Sequence, residues 1–167
     1  MKKTVLIMAM SATMLGSTSE FPIQSAAAHS RCHRLDDDAG IQGALAPDGC
    51  ASPVGLCTAG VFKGDSLLRG TTSLTADGLA VAAGMPLVEA ATTLSYSGLL
   101  TITTRHGKLV VRDTGIFDTA GIGLFASRDV IVAGTGIFEG ATGHIFFTGT
   151  GVTSFDAHAS GEICLAH

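Results

Sequence analysis

Charge is scarce in this chain. Asp, Glu, Lys and Arg make up 14% of its 167 residues and leave a net charge of −4 with neutral histidines. No basic patch could neutralise a phosphate backbone, so nucleic acid is excluded as a partner. Apolar residues, at 46%, exclude a disordered chain. No apolar run is long enough to span a bilayer, so stable membrane insertion is not expected. Beyond the first residues there is no helical apolar stripe of useful length; the one short candidate, Met85 to Ala91, begins beside a proline. No Cys-x-x-Cys pair occurs, so no metal or cofactor is indicated.

Against these absences, the N-terminus carries a clear pattern. Met1-Lys2-Lys3 is basic, Thr4 to Leu15 is apolar, and Ala26-Ala27-Ala28 offers a small-residue cleavage site. Residues 1–28 therefore read as an export signal for a secreted or periplasmic protein. No cysteine closely follows the apolar run, which argues against a bacterial lipid anchor. The four cysteines, Cys32, Cys50, Cys57 and Cys164, all lie after the expected cut. In an oxidising compartment an even count implies two disulfides. Three pairings are open; the favoured one joins Cys164 to Cys50 or Cys57, tying the C-terminus to the start of the domain. Residues 29–57 read as an irregular, cysteine-pinned N-terminal extension. Its Asp36-Asp37-Asp38 triplet lacks the alternating ligands of a calcium loop and reads as a solvated acidic turn.

Residues 58–167 read as the folded domain. Scattered glycine, 22 residues in all, sits among Val, Ile, Thr and Phe, as in short strands joined by tight turns. Strands are expected over Val61–Gly64, Leu67–Ala76, Leu79–Ala83, Thr92–Thr104, Lys108–Phe117, Leu124–Ala133, His144–Gly149 and Val152–His158. Turn residues fall between them at Gly64-Asp65, Asp77-Gly78, Arg105-His106-Gly107 and Gly121-Ile122-Gly123. Leu94, Tyr96, Leu100 and Ile102 share one face of their strand. Asp113 shares a face with Leu109 and Val111, and Asp129 with Phe125 and Ile131. Val130 to Val132 is apolar on both faces, which calls for a cover outside the sheet, such as another subunit in a homodimer or homotrimer. The fold class is all-β: an eight-stranded antiparallel barrel, with a two-sheet sandwich as competitor.

The glycine-rich stretch Gly134 to Gly143 does not have dinucleotide spacing and leads into a strand, not a helix, so a phosphate cradle is excluded. Gly134 and Gly136 read as one turn or bulge, Gly140 and Gly143 as a second. The segment Gly136-Ile137-Phe138-Glu139-Gly140-Ala141-Thr142-Gly143 closely resembles the Gly-Ile-Phe-Glu-Gly-Ala-Tyr-Gly segment of plant allene oxide cyclases. Gly134-Thr135-Gly136-x-Phe138 also resembles the Gly-Thr-Gly-x-Phe segment of dirigent proteins. Ser52-Pro53-Val54-Gly55-Leu56-Cys57-Thr58 is similar to the start of the barrel in exported bacterial members of that superfamily. The resemblance implies an eight-stranded barrel, a trimer, and a small apolar molecule guided through cyclisation or stereoselective coupling. It assigns Gly134, Gly136, Phe138, Gly140 and Gly143 as structural positions.

The remaining chemistry is sparse. Gly64-Asp65-Ser66-Leu67 spells a lipase/esterase nucleophile block, with Asp156-Ala157-His158 near the C-terminus. The Asp–His spacing is wrong, the oxyanion blocks are missing and Ser66 leads into a strand, so the motif reads as a hairpin turn. Arg112-Asp113 and Arg128-Asp129 sit on successive strands. The favoured reading pairs them across strands at the rim or a subunit interface. The alternative turns Asp113 and Asp129 inward as catalytic candidates, with Arg112, Arg128 and Tyr96 binding the ligand. Glu139 reads as a solvated or capping carboxylate, and no partner is evident for His106 or His144. Two functions follow: a barrel that binds and guides a small apolar molecule, or a non-catalytic module whose barrel is filled with side chains.

Overall fold

The computed structural model describes residues 31–83 and 92–166. The expected export signal at 1–28 and the short helical candidate at 85–91 lie outside them. Nine strands follow in order: β1 (Arg31–Arg34), β2 (Gly40–Leu45), β3 (Cys57–Lys63), β4 (Gly70–Val81), β5 (Thr93–Thr104), β6 (Gly107–Asp118), β7 (Leu124–Gly134), β8 (Thr142–Thr150) and β9 (Ser154–Leu165). Each strand from β2 to β8 pairs antiparallel with the next, and β9 pairs with both β8 and β2. The eight strands β2–β9 thus form the expected closed antiparallel barrel. β1 lies along the part of β9 beyond β2, with Cys32 opposite Cys164.

The barrel is reached by a different division of the chain from the one the pattern suggests. The segment read as irregular contains β1 and β2, and β2 is a full stave of the barrel. Its sequence, Gly-Ile-Gln-Gly-Ala-Leu, has glycine at an inward position between Ile41 and Leu45, so the apolar alternation is interrupted. Gly43 is required there: an added Cβ would lie 2.6 Å from the Phe155 ring. Conversely, the two strands expected over Leu67–Ala76 and Leu79–Ala83 are one, β4, with a bulge between Ala76 and Gly78. Asp77 and Gly78 are bulge residues, not a turn.

Alternation places Phe62, Ile102, Leu109, Val111, Ile145, Phe147 and Ile163 inside, each all but fully buried. Phe62 meets Phe147 edge to face at 6.2 Å. The lower end of the barrel, where β3–β4, β5–β6 and β7–β8 connect, is closed by two loop side chains. Leu68 comes from the β3–β4 connection and Phe138 from a 3₁₀ turn at Gly136–Phe138. Gly136 permits that turn. It has φ 64°, and a Cβ there would lie 2.2 Å from the His106 carbonyl oxygen. The glycine-rich motif therefore serves to fold Phe138 back into the barrel as a plug.

Both expected disulfides form, with a pairing other than the favoured one: Cys32–Cys164 and Cys50–Cys57. Register decides this. Cys164 sits at the lower end of β9 opposite β1, whereas Cys57 begins β3 at the upper end, out of its reach. Cys32–Cys164 closes a loop spanning 132 residues and Cys50–Cys57 one of 7. In the chain-entropy view these stabilise by about 5 and about 2 kcal/mol. The Cys32→Ser/Cys164→Ser double variant should accordingly lose more stability than Cys50→Ser/Cys57→Ser, as read by urea unfolding. Phe138→Ala should cost about 3–5 kcal/mol in the same measurement, since it empties the plug of the lower end.

Candidate functional site

The upper half of the barrel is hollow where the lower half is packed. A cavity of about 100 Å³ is walled by Ile41, Leu74, Leu100, Phe117, Phe125, Phe147 and Phe155, among others. Phe125 and Phe155 meet edge to face at 6.1 Å. Leu45, Leu79 and Val152 line it and are also 44%, 40% and 45% exposed, so the cavity opens to solvent at the upper rim. Leu56 joins them from the 46–56 loop. That loop is held down by the Cys50–Cys57 disulfide and by Ser52, whose hydroxyl donates to the Ala76 carbonyl at 2.6 Å.

Polar groups reach this apolar space from three neighbouring strands. Tyr96 of β5, Asp113 of β6 and Ser127 of β7 line the cavity, and Asp129 of β7 lies behind them. The inward parity of Leu109-x-Val111-x-Asp113 and Phe125-x-Ser127-x-Asp129 follows from strand pleating. Asp113 and Asp129 are register partners. That register runs without a break from the hairpin end at Phe117/Phe125, and the bulge in the β6–β7 ladder at Val110/Val111 lies beyond it. Asp113 is 5% exposed and Asp129 fully buried. Ser127 donates its hydroxyl to Asp129 Oδ1 at 3.0 Å. Asp113 Oδ1 and Asp129 Oδ2 have no hydrogen-bond partner among the described residues.

Two carboxylates facing each other in an apolar interior cannot both ionise readily. Burial pushes Asp113 up to about 6. Burial, and then the neighbouring charge of Asp113, pushes Asp129 up to about 9. Near neutrality the pair holds one proton and one negative charge, with the proton favouring the deeper Asp129. The Tyr96 hydroxyl is also pushed well above its ordinary value, first by burial and then by the charge of Asp113. It is therefore a neutral donor at the cavity wall.

Other residues singled out in the sequence fall elsewhere. The favoured Arg–Asp cross-strand pairing does not form. Alternation sends both aspartates inward and both arginines outward, and Arg112 instead grips Asp77 of the β4 bulge, with Nη2 at 2.9 Å from Oδ1. Arg128 is exposed on the outer face, so neither arginine reaches the cavity. Gly134, Gly136, Phe138, Gly140 and Gly143 belong to the opposite end. Ser66 is exposed, while the buried Asp65 accepts hydrogen bonds from the Leu67 and Leu68 amides at 2.8 and 3.0 Å and bonds to His33 Nε2 at 2.7 Å. Burial raises the pKa of Asp65, but the His33 and backbone bonds outweigh it and hold this carboxyl below its ordinary range. The Gly-Asp-Ser-Leu motif is thus a capped turn that also fastens β1 to the barrel. Ser127 went unnoticed in the sequence, although the alternation that turns Asp129 inward turns it inward too. Among the described residues no group of His, Cys, Asp and Glu is placed to hold a metal.

The raised carboxyls fix the sign of a pH dependence. Folded Asp113 and Asp129 keep protons that the unfolded chain releases above about pH 4. Their contribution is fully present below that pH and is lost as pH rises through about 6 and towards about 9. Thermal and urea unfolding between pH 4 and 10 should show this fall. Asp129→Asn should flatten it and raise stability at pH 8 by on the order of a few kcal/mol, since it removes the proton uptake that folding then requires.

No protein-family model, curated protein or solved structure matches this chain.

Proposed function

We propose that this protein is an exported barrel of the allene oxide cyclase/dirigent type that binds a small apolar molecule in its upper cavity and guides its cyclisation or coupling. The observation that carries the reading is the buried, facing Asp113/Asp129 pair at the floor of an apolar cavity open to solvent. Buried carboxylates with an unpartnered oxygen each destabilise a fold, and apolar side chains of like volume would serve a purely structural barrel better. A pair that holds one proton can accept a proton at one atom and return it at another, as ring closure or isomerisation requires. The apolar wall contributes by holding the reactant in one folded conformation. The likeness of residues 136–143 to the cyclase segment and the closed eight-stranded barrel support the scaffold assignment. Two disulfides support passage through an oxidising compartment. Large apolar side chains exposed on the outer face, Leu99, Ile116, Val132 and Phe146, support self-association.

One observation favours the second reading, a non-catalytic extracellular module. The cavity, at about 100 Å³, is smaller than the roughly 300 Å³ at which typical ligand pockets begin. Native mass spectrometry of protein purified from its own host separates the two. A co-purifying small molecule, lost from an Asp113→Leu variant, is the result expected of the first reading. An empty protein whose Asp113→Leu/Asp129→Leu variant is merely more stable is the result expected of the second.

A further inference from the structure

We infer that the ligand of the upper cavity is a cationic amine, with its ammonium on Asp113 and its apolar body against the phenylalanine wall. This rests on the reading of the cavity as a small-molecule site and narrows it to one chemistry.

The charge inventory of the cavity is one-sided. Among the described residues no Lys, Arg or His lines it, and Asp113 is the only charged lining residue. The groups facing Asp113 are Tyr96 from β5 and Ser127 and Asp129 from β7. The walls contributed by β2, β8 and β9 are apolar, through Ile41, Phe147 and Phe155. Arg112 and Arg128, the nearest cations in sequence, point out of the barrel. Asp113 is 5% exposed and carries an oxygen with no partner among the described residues.

Each class of ligand meets this floor differently. A carboxylate-bearing ligand, such as a fatty acid, would bring a second negative charge to a desolvated carboxylate. A neutral alcohol or hydrocarbon would bury Asp113 further without compensating its charge. An ammonium donates hydrogen bonds to the Asp113 carboxylate, and its single positive charge balances the single negative charge of the pair. Phenylalanine rings beside the site add favourable cation–π contact. The volume sets the size. An apolar cavity of 150 Å³ holds a benzene ring, so the about 100 Å³ here suits a body of roughly six carbons or fewer, with any longer tail emerging at the open rim.

The test is isothermal titration calorimetry of the disulfide-intact protein at pH 7 with three small probes of one shape: isobutylamine, isobutanol and isobutyrate. The amine should bind at least tenfold more tightly than the alcohol, and the carboxylate should not bind. Asp113→Asn should reduce amine affinity to that of the alcohol, while Asp129→Asn, which leaves the Asp113 charge in place, should keep the preference. Near-UV circular dichroism of both variants checks that the barrel is intact. Equal binding of amine and alcohol, or tighter binding of the carboxylate, overturns the amine assignment and leaves the small-molecule reading standing. Binding of none of the three overturns both.

Discussion

The pairing of β9 with β8 on one side and with β2 on the other is the contact on which the rest of this molecule depends. It joins the two ends of an otherwise open sheet and satisfies the edges that would be left exposed. Closure also gives the sheet an inside, so that one parity of every strand is withdrawn from water. The core, the cavity and the buried carboxylates all follow from it. Without β9 between β2 and β8, Ile41 and Phe147 would lose the opposing walls that make a cavity between them, and Asp113 would face solvent as an ordinary surface carboxylate.

The two halves of the interior divide the work. The lower half is filled by Phe62, Ile102, Leu109, Ile145 and Ile163 and stoppered by Leu68 and Phe138. This packing fixes the strand positions. The upper half spends part of that stability on a cavity with two carboxylates in it. The floor of the site is built on the middle of long, fully paired strands, β5, β6 and β7, rather than on loops. Such placement holds the orientation of Asp113 and Ser127 without any contribution from the rim. The rim can vary in sequence while the floor stays in place.

What the sequence made legible was the parity of strands and little beyond it. Alternation alone told that Asp113 and Asp129 lie on apolar faces, and those faces are inside. It could not tell that the two aspartates stand opposite each other, because that depends on the register set at the β6–β7 connection, which alternation within one strand does not specify. Arginine beside each aspartate invited an ion-pair reading, but neighbours in a strand point to opposite faces. Arg112 found its partner in Asp77, made available by a bulge that the sequence presented as a turn. β2 was hidden because Gly43 replaces a side chain that the crossing Phe155 ring would exclude. The eight-strand count survived because one missed strand and one strand split in two offset each other. The cysteines show the same limit: that the four would form two disulfides could be read, but pairing waits on which strand ends meet.

The bond between Cys32 and Cys164 also changes what a cut in the chain does. With these two positions joined across β1 and β9, everything between them is a covalent ring. A protease that nicks any one connection, including the exposed tip at Ile122 between β6 and β7, opens the ring to a line and releases no strand. Exposed loop tips are where proteases act first. The chain can in this way be clipped once and remain one covalent piece.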